Sequence, residues 1–139
     1  ALVLFERAVA MDPRSVRGWG GVALASANAR RWARSEHDLA RLETATAQLD
    51  RLEPGGYYGV LASGLIAFQR RDWQAALAAG NRMVELYPGH PGSYQMRSVV
   101  LVRMGRFEEA FADTEKAIAL LPNNPDATAC TRCWLIETW

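Results

Sequence analysis

Apolar residues in this chain recur three and four apart in separate runs, and each run ends two residues before a proline: Pro13, Pro54, Pro88 or Pro122. Counting back from Pro88 gives Leu86, Met83, Ala76 and Trp73, and from Pro122 gives Leu120, Ala117, Ala110 and Phe107. From Pro13 the same offsets give Met11, Ala8 and Ala1. Residues so spaced lie on one helix face, so each set is predicted to be the buried stripe of one helix, with Ala where a neighbour approaches closely.

Pro54, Pro88 and Pro122 are 34 residues apart, a period that marks stacked helical repeats. Pro91 and Pro125 keep the same interval and are predicted at first helical positions, where proline's missing N–H and fixed φ cost nothing; Asn124 suits the N-cap before the second. Pro13 to Pro54 is 41 residues, seven more than the period. Seven residues are close to two helical turns, so a helix absorbs them with a rotation of about 20°. The leading expectation is a lengthened second helix from about residue 33 to 52, roughly 30 Å long, opened by Trp32 and striped by Leu39, Leu42, Leu49 and Leu52. The alternative is one extra turn on each helix of that pair. Either way the chain is predicted to be all-α, about seven to eight helices in antiparallel pairs, in a single domain over residues 1–139 with repeat breaks near Pro13, Pro54, Pro88 and Pro122.

These residues resemble the tetratricopeptide repeat family. Trp19 followed by Ala23, Tyr94 followed by Ser98, and Gly64 stand where that family places an aromatic and a small residue in the first helix. Trp73-x-x-Ala76 and Phe107-x-x-Ala110 open the second helices, and Gly105 falls in the turn between the two. The resemblance covers essentially the whole chain and implies a right-handed α-solenoid that holds another polypeptide. Five positions depart from it: Gly80 and Thr114 replace a large apolar residue, Arg71 replaces the turn glycine, and Ser63 and Arg97 replace an apolar residue before the small one.

The same resemblance implies an inner wall built from the first helix of each pair. Carried onto this sequence it comprises Leu24, Asn28, Tyr58, Leu61, Leu65, Phe68, Gln69, Gln95, Met96, Val99, Val102 and Arg103, with Gly20, Gly21, Ala27, Ala62 and Gly92 among them, and Asp126, Ala129, Cys130, Cys133, Ile136 and Glu137 from the last helix. Co-chaperone members grip a C-terminal carboxylate with Lys and Asn at the fifth and ninth repeat positions. Here Leu61, Leu65, Gln95 and Val99 occupy them, so that clamp is absent. An apolar wall of this kind suits an amphipathic helix or apolar segment. The expected function is a non-enzymatic protein-interaction scaffold. The second expectation is a regulatory or assembly arm of a larger bacterial signalling protein, a nucleotide cyclase or transcription regulator, with the groove filled from within or by self-association.

Composition changes little in this picture. Half of the residues are apolar, enough for a continuous core, and the net charge is +1. A nucleic-acid partner is not expected: Arg30, Arg31, Arg34 and Arg41 are interspersed with Glu36, Asp38 and Glu43. No run is apolar enough to cross a membrane. Cys130 and Cys133 lack the companions that a redox or zinc site needs, and His37 and His90 are isolated, so no catalytic residue, metal or cofactor is expected. The start at Ala1 suggests a piece of a longer protein, and a cytoplasmic setting is the default expectation. Trp134, Leu135, Ile136 and Trp139 make the last segment too apolar for a terminal cap, so further repeats, a partner or a second copy pairing through the C-terminal helix is expected to cover it.

Overall fold

The computed structural model describes residues 2–32 and 36–121. Among them are seven helices: α1 (Leu2–Met11), α2 (Val16–Trp32), α3 (Glu36–Leu52), α4 (Tyr57–Gln69), α5 (Trp73–Leu86), α6 (Pro91–Arg103) and α7 (Phe107–Ala119). The expected all-α helical repeat is what forms. The chain divides into two compact units, Ala1–Arg70 and Arg71–Trp139.

In the first unit α2 packs on α1, α3 and α4. Its core joins Val9, Val22, Ala23, Leu42, Ala45, Leu49 and Ala62, with Trp19, Tyr58, Leu65 and Ile66 packed around them. The predicted stripe on α1 is corrected here: Val9 is the buried residue, whereas Ala8 is exposed and Met11 is 86% exposed. Among the described elements α1 packs on α2, and Leu2, Phe5 and Val9 form the face turned to it.

The leading expectation for the seven extra residues is also corrected. Trp32 ends α2 and does not open α3. At 17 residues α2 is four longer than α4 and α6, and α3, also 17, is three longer than the 14-residue α5. The hairpin has gained about a turn on each arm.

In the second unit α6 packs between α5 and α7. Ala76, Met83, Val100 and Ala117 are fully buried, and for Ala76, Met83 and Ala117 the offsets from the prolines predict it. Both small departures from the repeat pattern allow close approach. A side-chain carbon on Gly80 would stand 3.1 Å from the Cα and Cβ of Arg97 on α6. Thr114 is buried; its hydroxyl donates to the Ala110 carbonyl at 2.8 Å, which leaves Ser98 to donate to it across 3.1 Å.

One contact repeats in both units. Trp19 donates its indole N–H to the Pro13 carbonyl at 2.9 Å, and Tyr94 donates its hydroxyl to the Pro88 carbonyl at 3.0 Å, each from six residues downstream. The first-helix aromatic of the repeat therefore satisfies a loop carbonyl that lies beyond any helix ladder.

Helix ends follow local chemistry. Ser15 accepts from the Gly18 N–H at 3.1 Å and Asp72 from the Ala75 N–H at 3.0 Å, each satisfying an orphan donor of a first turn. Pro91 is the first residue of α6, as predicted, and His90 caps it by accepting from the Gly92 N–H through Nδ1 at 3.1 Å. Burial lowers the His90 pKa below its usual 6.5. Protonation removes the acceptor and places a positive charge at the positive end of the helix, so the stability gained from the cap is complete above the usual value and is lost as pH falls through the lower folded-state value. Thermal midpoints at about pH 7.5 and about pH 5.5 should therefore differ more in the native chain than in His90→Asn, a cap that does not titrate; equal drops would contradict this reading.

Arg71 shows why a glycine is usual in the turn. It adopts φ 60, close to the φ 74 of Gly105 one period later. This left-handed conformation costs a side-chain-bearing residue about 1–2 kcal/mol, more than the extra unfolded-state freedom that glycine brings. Arg71→Gly is expected to stabilise the chain by about 0.5–1 kcal/mol, read as a higher urea midpoint; a lower midpoint would refute the strain.

Candidate functional site

The expected wall residues fall in different environments in the two units. In the first, α2 and α4 pack together and carry Leu24, Asn28, Tyr58, Leu61, Leu65, Phe68 and Gln69. Gly20 makes this contact possible, because a side-chain carbon there would stand 2.6 Å from the Tyr58 ring. Tyr58 also meets Tyr57 edge to face, at 5.4 Å between centroids and 84° between planes. The Tyr57 hydroxyl is pushed up to about 12, first by burial and then by the neighbouring Tyr58, so it is an un-ionised phenol at neutral pH.

The side chains of this face are unequal. Tyr58 and Leu65 pack on the buried cluster of the unit and so hold the fold together. Leu24 keeps 36% of its surface exposed, Leu61 and Phe68 are half-buried, Asn28 is exposed and Gln69 is half-buried. Most of these side chains are apolar, and neither Leu61 nor Leu65 can serve as a fixed donor to a carboxylate.

In the second unit Met96, Val99 and Val102 on α6 are buried, at 5%, 4% and 8% exposure, so they offer no open surface. Gln95 beside them is half-buried and Arg103 is exposed. Trp134, Leu135, Ile136 and Trp139, expected as a self-association face, lie outside the described residues, as do Cys130, Cys133, Asp126, Ala129, Glu137, Asn124, Pro125 and Pro122.

In the sequence Arg97 stands out only as a departure from the repeat pattern. The structure gives it a role: Nε and Nη2 donate to the two oxygens of Asp113 on α7, both at 2.7 Å, and Nη1 donates to Asn81 on α5 at 3.2 Å. The Asp113 hydrogen bond raises the pKa of Arg97 further above its ordinary value. This is a structural tie and not a reactive centre, since both charges are consumed by each other. Exposed Phe107 and Phe111, one turn apart on α7, were also not anticipated as surface residues; Phe107 carries the family's opening aromatic position, which suggested burial. Among the described residues no group of three or more His, Cys, Asp or Glu side chains is arranged to hold a metal ion, and no helix is long and apolar enough to cross a membrane.

Comparison with known proteins agrees with this architecture. Residues 64–132 match the model of the tetratricopeptide repeat family. A thermophilic tetratricopeptide repeat protein of Thermus thermophilus is similar in structure, with a TM-score of 0.73 and 24% identity over 98% of this chain and 72% of that one. A chain described as MamA MSR-1 C2 is similar with a TM-score of 0.51 and 17% identity, over 86% of this chain and 64% of the other. None of the curated proteins compared matches the chain.

Proposed function

We propose that this chain, a tetratricopeptide repeat protein by the match over residues 64–132, is a protein-interaction scaffold that holds an apolar or amphipathic segment of a partner against the first helices of its first unit. The observation that carries the reading is that α2 and α4 pack together and leave the apolar side chains of Leu24, Leu61 and Phe68 partly exposed. Leucines in place of lysine and asparagine favour apolar contact over capture of a charged terminus. A net charge of +1 without a basic stripe favours a protein partner over a nucleic acid.

The test uses Leu24→Glu and Leu61→Glu, because both side chains lie outside the buried cluster and their replacement leaves the core intact. Partners recovered by the native chain should be lost by the double variant at unchanged helicity. Equal recovery by both proteins would remove this face from the account, whatever else the scaffold binds. Val99→Glu is unsuitable, since a carboxylate at a site 4% exposed would unfold α6 before reporting on any partner.

A further inference from the structure

The first unit contains an open cavity of about 330 Å³, at the small end of the range for small-molecule sites. It lies among α1, α2 and α3 and is lined by Glu6, Val9, Trp19, Val22, Ala40, Arg41 and Thr44. These residues are distinct from the face of α2 and α4 discussed above. We propose that this cavity binds a small organic cation, an ammonium group carried on an apolar body about one aromatic ring in size.

The walls set the apolar part. Val9 and Val22 belong to the buried cluster, and Trp19 is fixed by its hydrogen bond to the Pro13 carbonyl, so an apolar guest meets a preformed surface. The rim sets the charge. Arg41 faces two carboxylates, with Nε 3.2 Å from Glu6 and Nη1 3.3 Å from Asp38. Asp38 lies outside the lining but holds Arg41 from behind, so among the described residues the cluster of one guanidinium and two carboxylates carries a charge of −1 and Glu6 is its carboxylate at the cavity.

Asp38 has only 11% of its side chain exposed and is the partner that Arg41 must keep. Glu6 is 41% exposed, and an ion pair that open contributes little, so its carboxylate can turn to a guest ammonium at small cost. The Thr44 hydroxyl already donates to the Ala40 carbonyl at 2.8 Å, so its oxygen is left to accept from the same guest. An anionic guest would instead compete with two carboxylates for Arg41, the only cation among the described lining residues. The cavity therefore selects for positive charge.

Titration of the isotope-labelled chain with phenethylammonium, followed by the Trp19 indole N–H signal, tests this. Saturable shifts are expected, with phenylacetate at least about tenfold weaker and Glu6→Gln weakening phenethylammonium by about fivefold, as loss of one partly exposed charge contact implies. Ala40→Leu, which fills the cavity from an exposed helix position without altering its charge, should abolish the shifts. No saturation by about 10 mM, equal binding of phenylacetate, undiminished binding in Glu6→Gln, or binding that survives Ala40→Leu in folded protein would overturn the proposal.

Discussion

Asp113→Ala is expected to lower the stability of the chain by about 3 kcal/mol, measured as the urea unfolding midpoint by circular dichroism. The Asp113 side chain is 8% exposed and receives both donors of the Arg97 fork, and Arg97 itself is only 25% exposed. Removing the carboxylate leaves a guanidinium three-quarters buried, with the Asn81 side chain still accepting from it. The loss then comes mainly from the stranded charge and not from the bond energy of the pair. Arg97→Leu combined with Asp113→Leu should recover to within about 1 kcal/mol of the native chain, because apolar side chains of similar size carry no desolvation cost. If the double variant is as unstable as Asp113→Ala, the charge account is wrong and the loss is one of packing.

Gly80→Leu is expected to destabilise by about 2–3 kcal/mol. A large apolar residue is what the repeat pattern favours there, yet the nearest atoms to a new side chain would be the Cα and Cβ of Arg97 at 3.1 Å, one of them backbone, which cannot rotate away. The added carbons must therefore push α6 from α5. Gly80→Ala should be nearly neutral, since a gain of about 1 kcal/mol in helix propensity opposes a squeeze of a few tenths of an ångström. Because Arg97 is the atom group displaced, Gly80→Leu and Asp113→Ala should together cost less than the total of their separate effects. Strict additivity in urea midpoints would show that the two sites act through different contacts.

The repeat was legible because its marks are backbone-limited. The prolines that follow the second helices, Ala76 and Ala110 at close crossings and the aromatics that open α5 and α7 left little freedom, and Trp73, Pro91 and Phe107 do begin α5, α6 and α7. Residue 32 misled because the register was carried forward from Pro13, across the extra residues. Counted back from Pro54, the same offsets fall on Leu42, Leu49 and Leu52, of which Leu42 and Leu49 are the buried pair in α3. The candidate site was legible only in part. Register places Met96, Val99 and Val102 on one helix face, but whether a face stays open depends on what packs over it, and periodicity carries no information on that. Arg97 and Asp113 were opaque for the reason that their pairing spans 16 residues and two helices.

The divided lengthening of α2 and α3 bears on how this chain is compared with others. A gap of seven placed at one point in an alignment to 34-residue repeats assigns the end of α2 to the wrong arm of its hairpin and rotates the start of α3 off its stripe. Two gaps, four residues before the turn and three after it, restore every structural correspondence. A profile with rigid column spacing would lose register across that hairpin, which lies outside the family match over residues 64–132.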